Sequence, residues 1–434
     1  MQGGGLRDLQ AGGLGMRDRI FGMVKRHRHV NWALTDQGMV SGANFLTTIL
    51  IARHLGIEEF GRFTLAWLVV LFTTSLQMAV IVSPMMSIGP KQKPEDVPAY
   101  FGALFLQLLV FVAITFFLIF AGVHLVAEIR PEWDLRPLAI PLAVTAVLFQ
   151  LRDFLRRYFF TRRRPAIAFA GDAVAYLGLL FLLFLLLPFF HFDGADILWL
   201  IGGASAAAVL IAPPFLGHVA WRMGAFTGVC RRHWHFSKWM GASALFQWAS
   251  TYLFYIAVGG ILGAAALGGL RAAQTLIGIN HIFLQGLENI VPPHAAEHLT
   301  GGGRRALAAY LRRVAWAIGL ATAALGIVAA AAPSFWLQLV FGASYAAYGD
   351  VLRWWALIYV VVALTLPLRA GLRALERTRP IFRSYACAAL FTLLAVYPLL
   401  TGFELTGAMI GLFGAQLTAL VVLLRALRVE LANA

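Results

Sequence analysis

The chain has 434 residues, of which 60% are hydrophobic and 13% are charged, and its mean hydropathy is +0.77. A soluble domain of this length needs more polar surface to cover its core, so the composition excludes a soluble globular protein and indicates an integral membrane protein. The formal net charge is +15, but the Lys and Arg residues form short clusters between apolar runs. This pattern is typical of a membrane topology signal and argues against nucleic acid as a partner. The two cysteines, Cys230 and Cys387, predict neither a disulfide framework nor a metal site.

Residues 1–32 precede the first apolar run and contain several basic residues. We predict that they form a basic amphipathic segment on the cytoplasmic surface of the membrane. They lack the apolar core that follows the basic start of a signal peptide, so no cleavable signal is predicted.

Twelve apolar segments follow, each close to the roughly 20 residues that a helix needs to cross the hydrocarbon core. We number them spans one to twelve in chain order. Their predicted ranges are 33–53, 64–84, 100–126, 137–160, 166–190, 196–219, 239–261, 267–291, 306–331, 350–370, 381–401 and 406–427. The sequence therefore predicts an all-α integral membrane protein with about twelve transmembrane helices.

The distribution of basic residues agrees with twelve spans. With both termini placed in the cytoplasm, 29 of the 35 Lys and Arg residues fall on the cytoplasmic side. Since cytoplasmic segments carry an excess of Lys and Arg, this asymmetry favours an even number of spans with both termini inside.

A short repeat divides the chain into two halves. Residues 55–61 read LGIEEFG, and residues 262–268, at an offset of 207, read LGAAALG. Six spans per half is an even number, so both halves have the same orientation and relate by an axis along the membrane normal. We predict an N-terminal lobe at 33–219, a basic cytoplasmic linker at 220–238 and a C-terminal lobe at 239–434.

Span eight carries polar side chains on one helical face. Successive spacings of 3, 4, 3, 4 and 3 residues align its polar residues and one glycine: Arg271, Gln274, Gly278, His281, Gln285 and Glu288. Polar groups are costly in hydrocarbon, so this stripe is interpreted as the wall of a substrate pathway, with Arg271 able to pair with an anionic cargo. The alternative is that these side chains hydrogen-bond neighbouring helices for packing.

Span one shows a similar face at spacings of 4, 3 and 4, formed by Gln37, Ser41, Asn44 and Thr48. At the offset of 207, Thr251 and Tyr255 correspond to Asn44 and Thr48. This correspondence suggests that the first helix of each half faces a shared interface and contributes to the substrate pathway. Helix packing would also explain the pattern, because Ser and Thr hydrogen-bond readily to their own backbone.

Four titratable groups within or beside the spans are candidates for ion coupling: Asp36, Asp172, His281 and Glu288. Imidazole titrates near neutral pH, and a carboxylate in low dielectric binds protons more readily. Asp172 could instead pair with the nearby cluster 162–164. The basic clusters at 152–164 and 369–383 are interpreted as orientation signals and anionic-lipid contacts.

The hairpin after span one carries a family resemblance. Asn44-Phe45-Leu46 and the stretch from Ile51 to Phe63, which reads IARHLGIEEFGRF, resemble the opening of polysaccharide-biosynthesis membrane proteins. These include the Wzx-type flippases of the multidrug/oligosaccharidyl-lipid/polysaccharide (MOP) exporter superfamily. The resemblance implies two parallel six-helix lobes around a central cavity in the bacterial cytoplasmic (inner) membrane. It also implies an undecaprenyl-diphosphate-linked saccharide as cargo, flipped from the inner to the outer leaflet. Expected partners are this lipid-linked oligosaccharide, membrane lipids, and the polysaccharide polymerase and glycosyltransferases of the same pathway.

The sequence contains no motif for catalysis or nucleotide hydrolysis. GxxxxGK[ST], HExxH, CxxC and GxSxG are all absent, so no cofactor and no enzymatic activity is predicted. An ion-coupled drug or metabolite exporter of the same superfamily remains the alternative. A membrane-embedded polymerase or acyltransferase is less favoured, because the loops are too short to form a soluble catalytic domain.

Overall fold

The computed structural model describes residues 28–133, 135–221 and 223–432, so most of the predicted N-terminal amphipathic segment lies outside the described residues. The α-helices are Arg28–Gln77, Ser83–Ile88, Val97–Ile129, Ala139–Thr161, Pro165–Asp172, Gly178–Leu186, Gly194–Ile211, Met223–Ala257, Ala264–Ile277, Ile279–Ala331, Pro333–Phe341, Gly349–Ala374 and Arg379–Ala432. Short π-helical segments, Met78–Val82, Ala173–Leu177 and Val258–Leu262, join some of these helices end to end.

These helices form twelve helical spans, the number predicted from the sequence. Nine segments of the described chain are long and apolar enough to cross a membrane. Three of the long helices each contain one residue with non-helical backbone angles, at Gly56, Gly303 and Glu404, and the chain reverses there. Large apolar side chains such as Phe184 and Leu394 point outward, 73% and 71% exposed. A surface of this kind is suited to lipid rather than water.

The twelve spans are arranged as two six-helix lobes around a central cavity. The sequence repeat at an offset of 207 residues corresponds to a repeated backbone conformation in the two lobes. Gly56 breaks the first hairpin with φ 73° and ψ 173°, and Gly263, 207 residues later, has φ 93° and ψ 169°. A positive φ is strained for residues with a side chain, so glycine is required at both reversals. The same backbone geometry at the same offset shows that both lobes begin with equivalent helical hairpins.

The tips of these two hairpins pack directly against each other across the lobe interface. A Cβ atom built on Gly61 would lie 1.8 Å from the carbonyl oxygen of Ala264, and one built on Gly268 would lie 2.0 Å from the carbonyl oxygen of Ile57. The two contacts are related by the same offset of 207. We call these four residues the glycine clasp. It closes the lobes at the end of the bundle opposite the basic loops.

The predicted linker is helical rather than a loop. Met223–Ala257 is one continuous helix, whose first half precedes the membrane-spanning segment at Ala244–Leu262. The side chain of His233 is fully buried, and its Nε2 hydrogen-bonds the Tyr100 hydroxyl at 3.0 Å. Burial, followed by the neighbouring charge of Arg232, lowers the pKa of His233 to about 4. The linker helix is therefore docked on the N-terminal lobe through a neutral imidazole.

Candidate functional site

A cavity of about 1480 Å³ lies between the two lobes. It reaches the basic end of the bundle, because its wall includes the helix start at Thr378 and Arg379. The N-terminal lobe contributes residues of spans two and four. The C-terminal lobe contributes residues of span seven, of the segment between spans ten and eleven, and of the start of span eleven. We call it the central cavity.

The charged side chains that line the central cavity are mostly cationic. They are Arg157, Arg373 and Arg379, together with one carboxylate, Asp153. Arg157 Nε lies 3.7 Å from Asp153 Oδ1, so the carboxylate already has a cation beside it. Arg373 and Arg379 form no ion pair with any residue in the described part of the chain. The cavity therefore presents a surplus of guanidinium groups, which bind carboxylates and phosphates with paired hydrogen bonds.

Aromatic side chains supply much of the remaining wall. Trp248 packs against Phe72 with ring centroids 4.8 Å apart and against Tyr252 at 5.5 Å. The indole Nε1 of Trp248 is buried and has no hydrogen-bond partner among the described residues. Hydroxyl and amide side chains lie beside these rings: Thr74, Ser75, Gln247 and Thr251. A wall of rings with a few polar groups is typical of sites that hold a polar organic ligand in a fixed orientation.

A second, smaller cavity of about 70 Å³ lies in the N-terminal lobe where it meets Arg271 of the C-terminal lobe, and we call it the inner chamber. Leu71 lines both cavities, so the chamber adjoins the central cavity. Its polar wall consists of Asn44, Thr47, Thr48, Thr64, Arg152, Tyr176 and Arg271.

The predicted stripe on span eight is divided by the structure. A one-residue interruption at Gly278 separates Ala264–Ile277 from Ile279–Ala331, so the span is not one continuous helix. N-terminal to Gly278, Arg271 donates a hydrogen bond to Gln274 Oε1 at 2.7 Å and lines the inner chamber. C-terminal to Gly278, the backbone at His281 is helical, but the side chain of that residue lies outside what the structure describes.

The last two residues of the stripe, Gln285 and Glu288, contact neighbouring helices. Gln285 accepts a hydrogen bond from Gln37 across the lobe interface at 3.1 Å. Glu288 forms an ion pair with Arg369 at 2.8 Å. These contacts are of the kind that the packing interpretation requires, and a role of these residues in transport stays a prediction.

The polar face of span one is likewise split between two environments. Gln37 also donates to Ser41 at 3.2 Å, which places both residues at the lobe interface. Asn44 and Thr48 line the inner chamber, and the Thr48 hydroxyl donates to the Asn44 carbonyl at 2.7 Å.

Two of the three candidate coupling carboxylates, Asp36 and Asp172, are brought together. Asp36 and Asp172 are each 1% exposed, and both form ion pairs with Arg156 of span four. The alternative partner offered for Asp172, the cluster 162–164, is therefore wrong. That cluster lies past the end of the helix Ala139–Thr161, whereas Arg156 is more than one turn inside it and faces span five.

The sequence interpretation missed four arginines that line cavities: Arg152, Arg157, Arg373 and Arg379. Their positions near basic loops suggested orientation signals and lipid contacts. One available signal was helical spacing, because Asp153 and Arg157 lie one turn apart on one face of span four.

Two six-helix lobes around a cavity that reaches one end are the architecture of a multi-pass integral membrane protein. The MatE family model matches residues 240–397, and a search of curated proteins gives no match. Solved structures match nearly the whole chain. An inward-facing multidrug resistance MATE family transporter of the MOP superfamily has a TM-score of 0.72 at 11% identity, with 92% of this chain and 95% of that chain covered.

An outward-facing structure of a MATE family transporter of the same superfamily gives a TM-score of 0.63 at 12% identity, covering 93% and 94% of the two chains. The lipid II flippase MurJ in an inward closed conformation gives 0.69 at 12% identity, covering 92% and 87%. These identities establish the fold alone. The MatE family model matches less than half of the chain, so these comparisons assign the chain neither to drug exporters nor to flippases.

Proposed function

We propose that this protein flips an undecaprenyl-diphosphate-linked saccharide from the inner to the outer leaflet of the bacterial cytoplasmic membrane by alternating access. The observation that carries the proposal is the charge of the central cavity, where Arg157, Arg373 and Arg379 face a single, already paired carboxylate. A diphosphate headgroup provides the negative counter-charge that the protein does not supply to these guanidinium groups.

The rest of the cavity wall suits the saccharide. Buried donors such as Trp248 Nε1 and the hydroxyl groups beside it can bind sugar hydroxyls, while the rings of Trp248 and Tyr252 offer apolar faces. A cavity for cationic drugs would instead need free carboxylates. Asp153 lies beside Arg157, so the alternative of a cationic-drug exporter lacks its recognition group here.

The orientation of the chain supports loading from the inner leaflet. By the positive-inside rule, the basic end of the bundle is cytoplasmic and both termini are inside. The central cavity reaches that end, while the glycine clasp closes the other. The higher TM-score against the inward-facing transporter agrees with this state. The polymerase and glycosyltransferases of the pathway remain proposed partners.

Ion coupling is assigned to the cluster of Asp36, Arg156 and Asp172 as part of the proposal. Binding of a proton or cation to either carboxylate would remove one of the two ion pairs of Arg156 and change the contact between spans one, four and five. Glu288 is a weaker candidate because its carboxylate is ion-paired near the surface.

The test is to delete the gene and identify the isoprenoid-linked compounds that accumulate in the membrane. We expect a lipid-linked saccharide to accumulate and wild-type protein to clear it. The double variant Arg373→Gln/Arg379→Gln should clear it at least tenfold more slowly, because a hydrogen bond to a charged group contributes about 1.5–3 kcal/mol.

The matched control is Arg377→Gln in the same segment, because Arg377 is 59% exposed and pairs with Glu430 outside the cavity. If the double variant is present in the membrane at normal abundance and clears the saccharide at the wild-type rate, Arg373 and Arg379 do not contact the cargo. If no lipid-linked compound accumulates while sensitivity to cationic drugs rises, the proposal is wrong and the exporter alternative is correct.

A further inference from the structure

We infer that the inner chamber is a binding site for a single small anion, of chloride to phosphate size, held by Arg152 and Arg271. The inference concerns a site distinct from the central cavity. It does not depend on the identity of the cargo, because a free anion would satisfy the same groups.

Arg152 is a guanidinium enclosed within the protein. It is 6% exposed, and its carbon Cζ lies 4.4 Å from the ring centroids of both Phe149 and Tyr176. One amino group, Nη2, donates to the Tyr176 hydroxyl at 2.9 Å, but Nε is buried and has no hydrogen-bond partner in the described structure. An unmatched buried donor on a cation is unfavourable unless a ligand accepts from it.

Arg271 brings a second cation to the same chamber from the other lobe. Its polar contact is the neutral Gln274 Oε1, and it forms no ion pair with a described residue. A guanidinium at membrane depth without a counter-charge is costly, and such residues usually mark ligand pathways.

The negative charges of the N-terminal lobe do not supply this counter-charge. No carboxylate lines the chamber within the described residues. Asp36 and Asp172 both pair with Arg156, and the one surplus negative charge of that cluster offsets Arg152, which lies one turn away on the same helix. Arg271 remains without a partner charge, so the chamber has room for one added negative charge.

The chamber also has suitable size and lining. A water molecule occupies roughly 10–15 Å³ of such space, so about 70 Å³ holds one small anion with a few waters, but not a sugar residue. Hydroxyl groups of Thr47 and Tyr176 and the Asn44 amide lie in the wall and can complete the solvation of an anion. The site can be filled by a free inorganic anion or by one phosphate group of a lipid, and both share the same recognition chemistry.

The test measures anion binding to full-length protein purified in detergent. Thermal unfolding is followed by tryptophan fluorescence in sodium gluconate, with chloride, inorganic phosphate or undecaprenyl phosphate added at constant ionic strength. Saturating anion should raise the Tm by about 2–5 °C in the wild type. Arg152→Gln and Arg271→Gln should each abolish this shift, whereas Arg152→Lys should retain part of it.

The matched control is Arg383→Gln, an exposed arginine whose substitution should leave the shift intact. A shift that appears with chloride or phosphate and requires both arginines supports a free anion, and one that appears only with undecaprenyl phosphate supports a lipid phosphate at the same site. No shift, or a shift of equal size in Arg152→Gln and Arg271→Gln, overturns the inference. If Arg152→Gln does not fold, Arg271→Gln and Tyr176→Phe decide the outcome. Saccharide clearance is not measured, so failure here is separable from failure of the proposed flippase function.

Discussion

The glycine clasp gives the sharpest prediction about the conformational cycle. A Cβ atom at Gly61 would lie 1.8 Å from the Ala264 carbonyl oxygen, whereas real contacts of this kind are longer than 3.0 Å. In Gly61→Val, therefore, the two hairpin tips must separate by roughly 1 Å or more for the lobes to stay closed at this end. Overpacking of this size costs about 1–3 kcal/mol. The ratio of closed to open molecules at this end should fall about tenfold to a hundredfold, since about 1.4 kcal/mol corresponds to a factor of ten.

Spin labels on the two hairpins would measure this ratio. Glu58→Cys and Ala265→Cys are equivalent positions of the two repeats, and Cys230→Ser with Cys387→Ser removes the native thiols. Pulsed electron paramagnetic resonance should give one short distance between the two labels in the protein that keeps Gly61. In the Gly61→Val protein, a second population should appear with a longer distance between the labels.

The matched control is Gly203→Val, which places the same side chain where no atom lies within 4 Å. Its distance distribution should equal that of the parent protein. An unchanged distribution in Gly61→Val would show that the hairpin contact does not determine closure, and the clasp would then be a passive contact.

Two further predictions concern buried charges. Arg156→Leu removes the ion-pair partner of the buried Asp36 and Asp172, so the free energy of unfolding should fall by about 3–5 kcal/mol; thermal unfolding in detergent measures this, and no loss would show that the carboxylates are neutral in the fold. Burial lowers the pKa of His233 to about 4, so this imidazole binds fewer protons in the folded than in the unfolded protein between about pH 6.5 and 4. Stability should therefore be lost as the pH falls through this range; His233→Gln should reduce this loss, whereas replacing the exposed His235 should not change it.

Much of the fold could be predicted from the sequence because the bilayer imposes a strict length and hydropathy on each helix. The twelve spans and the equivalence of Gly56 and Gly263 follow from hydropathy and from a repeat offset that can be read directly. The interruption of span eight could not be predicted, because a glycine within an apolar span is common. The backbone angles of Gly278 are themselves nearly helical.

The candidate site was harder to predict because it depends on how the lobes pack. Gln37 and Gln285 are 248 residues apart and meet only in the folded bundle. The sequence offered the loop at 162–164 as an alternative partner for Asp172 because it is close along the chain, whereas in the fold Asp172 pairs with Arg156 inside the helix. Tertiary position, and not residue type, separates Arg373 in the central cavity from Arg377 on the surface.

The cationic lining of the cavity and the topology of the chain then have a common physical basis. A protein that loads an anionic headgroup from the inner leaflet needs cations at its cytoplasmic end, which is also where the positive-inside rule places them. The same arginines can fix the orientation during insertion and later bind cargo, as proposed for Arg157, Arg373 and Arg379. The opposite end is joined by the backbone contacts of the glycine clasp and by hydrogen bonds from Arg53 to the Leu339 carbonyl and from Tyr345 to the Ala52 carbonyl. No ion pair among the described residues joins the lobes at that end. Occupancy of the cavity can therefore shift the lobes through differences of only a few kcal/mol.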